Sequence, residues 1–218
     1  MRKLTLASLP ILAALALVAS GCGADTATNS KAAERKPAKP VCPSAWKPGW
    51  QKLANRIQAP VYCPSWLPAP LTGQIVGQVS FGGAGGPSVS VDPDRSYLVS
   101  LAWAEPQSGE VHVNLRGYPG RTKVPTCIKE DTNGTKLIKT PIPCFADSRG
   151  TVRAPGIVAT VYTVNQDADL WHVLYAWHYR GGLYTVSQHV AAPLSYNQVR
   201  SSLNRILHNL VLVQPRVD

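Results

Sequence analysis

Apolar and polar side chains alternate over short runs between residues 74 and 191, and turn-forming residues separate these runs. Such alternation puts every second side chain on the same face of a β-strand and is typical of strands with one buried face. The turn signals Asn133-Gly134 and Gly181-Gly182 favour antiparallel neighbours. We therefore predict the α+β class, with an antiparallel sheet of six or seven strands over residues 74–80, 96–105, 110–116, 136–142, 157–164, 170–179 and 183–191.

Two helices are predicted to accompany this sheet. The first is a short N-terminal helix over residues 49–58, between Pro48 and Pro60, with apolar side chains at helical spacing. The second is a C-terminal helix that begins at Ser195, which makes an S-x-x-Q capping box with Gln198. A helix with a single apolar face must cover a neighbouring layer, and we expect it to cover the sheet. That face consists of Val199, Leu203, Ile206 and Leu210.

The last predicted hairpin has two unlike faces. One is apolar and is expected to be the core face under the C-terminal helix, whereas the other carries His172, His178 and His189. With a two-residue turn at Gly181-Gly182, His189 stands opposite Leu174 and diagonal to His172, and diagonal neighbours lie about 7–8 Å apart. The expected core face comprises Trp171, Val173, Tyr175, Trp177, Tyr179, Tyr184, Val186 and Val190.

His172 and His189 are therefore candidate metal ligands, with His112 on another strand as a third candidate. Two imidazoles at this distance can share a metal ion. Histidines on an outward sheet face are more commonly solvated, and a three-residue turn would shift the register and separate the pair. The sequence alone therefore predicts no metal and no cofactor, although His172 and His189 are the candidate ligands.

The first 21 residues have the pattern of an export signal. Arg2 and Lys3 precede an uncharged apolar run, residues 4–20, which is short for a membrane span. The run ends in small side chains, and Val18-Ala19-Ser20-Gly21-Cys22 resembles the lipobox of bacterial lipoproteins. The resemblance implies that Cys22 is lipidated. Membrane lipid is then a partner, and the protein is held on the extracytoplasmic face of the cell membrane.

Residues 22–40 lack large apolar side chains and are predicted to be a flexible tether, whereas residues 41–218 are predicted to form a single globular domain. Residues 22–56 hold seven Lys and Arg against two Asp and Glu. A basic segment beside an anionic bilayer is a lipid-surface feature. Because the rest of the domain is less basic and has no nucleic-acid-binding motif, nucleic acid is not expected as a partner.

Four cysteines remain for the domain, and export would place them in an oxidising compartment, where disulfides form. Four cysteines can form two disulfides in three ways. We favour the pairs of near neighbours, because each closes a loop of about twenty residues, worth about 3 kcal/mol. Zinc ligation is disfavoured because no pair has C-x2-4-C spacing. The favoured pairs are Cys42 with Cys63 and Cys127 with Cys144.

No residue is predicted to be catalytic. The nucleophile motif G-x-S-x-G is missing from the sequence, and the cysteines have a better use in disulfides. Pairs of carboxylates that are close in the sequence could in principle serve acid–base catalysis. They occur at or near turns, and the preference of these residues for turns explains them. The protein is therefore not expected to be an enzyme.

Four strings of the domain are distinctive: residues 61–68 (VYCPSWLP), 113–120 (VNLRGYPG), 142–145 (IPCF) and 163–169 (TVNQDAD). Together they resemble an uncharacterised group of actinobacterial lipoproteins, and this resemblance supports lipidation of Cys22 without implying an activity. A weaker similarity is to extracytoplasmic domains of unknown function on anti-sigma factors and lipoproteins. Those domains open with a P-x-x-L-P segment, here Pro64, Leu67 and Pro68, and close with a sheet and a helix.

The expected function is that of a non-catalytic ligand-binding module of the cell envelope. A sheet backed by a helix often leaves a concave apolar site, and six Trp and eight Tyr supply aromatic lining. The ligand would be a lipid or another envelope component. The alternatives are a protein-interaction module of the envelope and a cell-wall hydrolase.

Overall fold

The computed structural model describes residues 39–72, 88–105, 109–164 and 171–216. The predicted signal at residues 1–21, the lipidation site Cys22, nearly all of the tether and the strand predicted over residues 74–80 lie outside the described residues. The described residues form two helices and eleven strands. The elements are α1 Lys47–Ile57, β1 Val61–Pro64, β2 Ser88–Val91, β3 Tyr97–Glu105, β4 Gly109–Tyr118, β5 Thr126–Asn133, β6 Lys136–Pro143, β7 Thr151–Ala154, β8 Ile157–Val164, β9 His172–Tyr179, β10 Gly182–His189, α2 Tyr196–His208 and β11 Leu210–Val213.

The main sheet has seven antiparallel strands in the order β2-β3-β4-β10-β9-β8-β7. Two further antiparallel pairs, β1-β11 and β5-β6, stand beside it. The predicted α+β class is confirmed, with one helix near the N-terminus and one near the C-terminus. In the part of the chain that the structure describes, no helix is both long enough and apolar enough to cross a membrane.

Six of the predicted strands correspond to β3, β4, β6, β8, β9 and β10. Two of the strands missed by the sequence analysis, β1 and β5, lack alternation. All four residues of β1 are buried, and β5 is exposed along nearly all of its length. A strand buried or exposed on both faces has no period-two pattern, so hydropathy does not reveal it.

The two helices begin close to the predicted positions. Helix α1 starts at Lys47, two residues early, because Pro48 fits the first turn, where its missing N–H is not needed. Helix α2 has the predicted capping box between Ser195 and Gln198. The assignment of Leu210 to its apolar face was wrong: α2 ends at His208, and Leu210 begins β11, where it pairs with Pro64.

The core lies between one face of the main sheet and the two helices. Helix α2 packs on β9 and β10 and buries Val199, Leu203, Ile206 and Leu207. The rings of Tyr62 and Tyr184 meet edge to face with centroids 5.1 Å apart, and burial raises the pKa of Tyr184 to about 12. Trp171 was wrongly assigned to this core. It has a φ of 59° in the turn before β9 and is 60% exposed.

Both favoured disulfides are present, Cys42–Cys63 and Cys127–Cys144. The first joins the segment before α1 to β1, and both of its cysteines are buried. The second joins the ends of the β5-β6 hairpin, where Cys127 pairs across the ladder with Ile142. One crosslink therefore stabilises the core, whereas the other closes a peripheral hairpin.

The capping box gives a stability prediction. The Ser195 hydroxyl accepts from the backbone N–H of Gln198, so Ser195→Ala leaves a donor of the first turn without its partner. We expect a loss of about 1 kcal/mol in the free energy of unfolding, measured by urea denaturation. Ser201→Ala, at an exposed position inside the same helix, is the control and should be neutral or slightly stabilising. Equal losses would mean that the cap contributes nothing.

Candidate metal centre

Three histidines lie on one rung of the main sheet, on the face opposite α2. His172 of β9 pairs with His189 of β10. The β10-β4 register pairs Gln188 with Val113, so the next position places His189 beside His112 of β4. The three histidines singled out from the sequence are therefore neighbours on adjacent strands.

The predicted register of the hairpin was wrong by two residues. Gly182 pairs with Tyr179 inside the ladder, so the two-residue turn is Arg180-Gly181 and His189 stands directly opposite His172, not diagonal to it. A shift of two residues leaves each side chain on its predicted face, because side chains in a strand alternate with period two. His178 also lies on this face but is apart from the cluster, where its Nε2 lies 2.8 Å from the carbonyl oxygen of Thr122.

The imidazole rings are packed against one another. The rings of His172 and His189 are stacked, with centroids 5.1 Å apart and an interplanar angle of 8°. The ring of His112 meets that of His172 edge to face, also at 5.1 Å. His172 is buried, whereas His112 and His189 are partly exposed. The rings of His112 and His189 are therefore partly exposed to solvent, whereas the ring of His172 is buried and packs against both.

Glu110 completes the cluster from the start of β4, two residues before His112 and so on the same face. Its Oε1 lies 3.4 Å from Nδ1 of His112 and 3.4 Å from Nδ1 of His189. Direct hydrogen bonds to nitrogen are shorter, about 2.7–3.2 Å. The Glu110 oxygen thus lies near both imidazoles, at a distance somewhat longer than that of a direct hydrogen bond. Glu110, His112 and His189 together can offer one ligand atom each, all within 4.8 Å of one another.

The two 3.4 Å distances from the Glu110 oxygen match the edge of a small coordination tetrahedron. Metal–ligand bonds of 2.0–2.1 Å at tetrahedral angles place neighbouring ligand atoms roughly 3.3 Å apart. Nδ1 of His189 is buried and makes no hydrogen bond in the part of the chain that the structure describes. A nitrogen lone pair held beside a carboxylate oxygen at this distance is suited to a cation between them.

Ser100 of β3 holds the other nitrogen of His112. Its Oγ lies 2.7 Å from His112 Nε2, which leaves Nδ1 directed at Glu110. Outer hydrogen bonds of this kind fix the ring orientation and tautomer of a metal-ligating histidine. Sequence reasoning missed Ser100 altogether and did not connect Glu110 with the histidines. The period-two pattern Glu110-x-His112 was the available signal, since it puts both side chains on one face.

The backbone at the start of β4 positions Glu110. The N–H of Glu110 donates to the carbonyl oxygen of Ala192 at 3.0 Å. Gly109, just before it, has a φ of +102°, and the carbonyl of Ala192 occupies the space that a side chain on Gly109 would need. The site therefore depends on a close backbone approach between β4 and the segment that follows β10.

An apolar pocket of about 240 Å³ lies apart from this cluster, between α1 and the opposite face of the sheet. Most of its lining residues are apolar. Its lining consists of Ala45, Trp46, Gly49, Trp50, Leu53, Val89, Val99 and Leu101.

The fold and the site define a two-disulfide α+β domain whose open sheet face carries a histidine–glutamate cluster. Comparison of the chain with protein-family models, with curated proteins and with solved structures finds no match.

Proposed function

We propose that this protein is a membrane-anchored, non-catalytic ligand-binding module of the cell envelope, and that its ligand is a divalent transition-metal ion of the zinc type. Glu110, His112 and His189 are the proposed ligands. The 3.4 Å spacing of the Glu110 oxygen from both imidazole nitrogens carries the proposal. The export pattern and the lipobox-like residues before Cys22 support the anchoring.

The donor set selects the class of ion. Imidazole nitrogen suits zinc, copper and nickel, whereas calcium and magnesium prefer sites built wholly from oxygen. Two histidines and one glutamate are a known zinc ligand set that leaves a fourth position for water or another donor. Glu110, His112 and His189 are each partly exposed, so solvent reaches the edge of the cluster, although Nδ1 of His189 itself is buried. This arrangement fits a site that captures an ion or passes it on.

The same residues also have the order of a serine hydrolase triad, with Ser100 against His112 and His112 against Glu110. This favours hydrolysis as a second candidate function. Ser100, however, lies in a strand paired on both sides, opposite Ser88 and Asn114. Its backbone N–H lies in the plane of the sheet, so it does not point to the face where an oxyanion would need a donor. The geometry therefore favours metal binding.

Calorimetric titration tests the proposed site. The mature chain, residues 22–218 with Cys22→Ser and no histidine tag, should bind one equivalent of Zn²⁺ and should not bind Ca²⁺ or Mg²⁺. Glu110→Gln and His189→Gln should each weaken Zn²⁺ binding by more than the ~10–100-fold typical of losing an outer partner. The physical reason is that each variant replaces a strong ligand of the ion, the carboxylate or the imidazole, by a weakly coordinating neutral amide.

His208→Gln is the matched control, because His208 is exposed at the end of α2, which lies on the sheet face opposite the cluster. It should leave the affinity for Zn²⁺ unchanged. The proposal is wrong if the parent chain takes up no Zn²⁺, or if His208→Gln weakens binding as much as His189→Gln does.

A further inference from the structure

A basic groove runs along the exposed side of α1. It has a volume of about 520 Å³, and its lining includes Lys47 and Lys52 of α1 and Arg216 near the C-terminus. The amides Gln51 and Asn55 stand between these cations. Among the residues that the structure describes, no acidic side chain lines the groove.

The groove is a built part of the fold. Gln51 donates from Nε2 to the carbonyl oxygen of Gln214 at 2.8 Å, and the backbone N–H of Arg216 donates to Oδ1 of Asn55 at 2.9 Å. These bonds hold the C-terminal segment along α1. The opposite side of the helix is fixed by its buried residues, which are Trp50, Leu53, Ala54 and Ile57. The cations are therefore presented on a surface of defined orientation.

Among the described residues, charge on this side has one sign, that of Lys and Arg. Helix α1 contains Lys47, Lys52 and Arg56, all exposed, and no acidic residue. The described ion pairs of Lys and Arg lie elsewhere, in the loop before β3 and on the β5-β6 hairpin. A surface with several cations attracts an anionic partner.

The position of the groove in the chain points to the partner. The disulfide at Cys42 fixes the chain shortly before Lys47, so α1 is the first element after the predicted tether. If residues 23–40 form the predicted flexible tether, its eighteen residues reach roughly 20–25 Å. Its own cations are Lys31, Arg35, Lys36 and Lys39. A domain held this close to a bilayer meets that bilayer first with a face near the attachment point.

We propose that the basic groove of α1 docks on the anionic lipid headgroups of the membrane that carries the protein. The inference rests on the anchoring part of the proposed function and is independent of the metal site. Docking would orient the domain so that α1 faces the bilayer.

Vesicle co-sedimentation tests this docking. The mature chain with Cys22→Ser is mixed with EDTA and vesicles of either 30% phosphatidylglycerol in phosphatidylcholine or phosphatidylcholine alone. We expect binding to the anionic vesicles that weakens as salt is raised, because headgroup attraction is screened over about 10 Å at 0.1 M salt. Replacing the groove cations by Lys47→Gln, Lys52→Gln and Arg216→Gln should weaken it on the order of 100-fold.

The control removes three exposed cations from other elements, by Lys136→Gln, Arg149→Gln and Arg153→Gln, and so has the same net charge. It should keep most of the binding. Docking by α1 is overturned if both triple variants lose binding equally, if the groove variant binds like the parent, or if neutral vesicles bind as well. Binding of polyglutamate without binding of anionic vesicles would overturn the lipid assignment in favour of an acidic protein partner.

The outcomes stay separate from those of the proposed function. The assay contains EDTA and an unlipidated chain, so it depends neither on Zn²⁺ nor on acylation. Whether Cys22 carries lipid is measured on the exported full-length protein by its mass. Absence of lipid there would contradict the anchoring without changing the vesicle result.

Discussion

Gly109→Ala is expected to destabilise the domain by about 3–5 kcal/mol and to weaken Zn²⁺ binding with it. A Cβ on Gly109 would lie 2.0 Å from the carbonyl oxygen of Ala192 and 2.9 Å from Cδ of Pro193. The φ of +102° is also strained for any side chain. Relief requires the start of β4 to move away from Ala192, which breaks the bond from the N–H of Glu110. Glu110 then leaves the two imidazoles.

The measurements are urea denaturation and calorimetric titration with Zn²⁺ on the same preparation. Gly120→Ala is the matched control, because Gly120 also has a positive φ, +75°, but nothing lies within 4 Å of the position of its Cβ. It should cost about 1 kcal/mol in backbone strain and leave Zn²⁺ affinity unchanged. Equal effects of the two substitutions on stability would refute the close approach at Ala192.

The cluster shows which parts of a site can be predicted from one sequence. Alternation placed His172 and His189 on the same face of one hairpin, because both strands are local and joined by a short turn. The third member, His112, belongs to β4, whose pairing with β10 joins segments far apart in the chain. No local pattern encodes that pairing. The sequence could therefore suggest that His112 meets the hairpin, but only the sheet order establishes it.

The register shows a second limit of the sequence. The pair Gly181-Gly182 looked like the turn, yet Gly182 is buried at the start of β10 and Arg180 takes a φ of 46° in its place. The sequence allowed either choice, since both bring the same side chains to the same faces. Only the pairing of Gly182 with Tyr179 decides that the two histidines are direct neighbours. The faces were therefore predictable, whereas the distances were not.

Removing the Cys42–Cys63 disulfide is expected to cost far more stability than removing Cys127–Cys144. The two loops span similar separations, 21 and 17 residues, so loop entropy alone distinguishes them by only about 0.2 kcal/mol. Their surroundings differ. Cys42 and Cys63 belong to the main core cluster, so opening this bond releases the segment before α1. We expect the Cys42→Ala, Cys63→Ala variant to lose about 3–5 kcal/mol.

The Cys127→Ala, Cys144→Ala variant is the matched comparison. Strands β5 and β6 form a sheet of their own with mostly exposed side chains, so loss of their crosslink can be absorbed by local opening of the hairpin. Its cost is then limited by the local stability of that hairpin, and should stay below about 2 kcal/mol. The free energies of unfolding of the two variants are compared by guanidinium denaturation. Equal losses of stability would contradict the predicted difference. Because Cys42 also fixes the chain beside α1, only the first variant should in addition weaken binding to anionic vesicles.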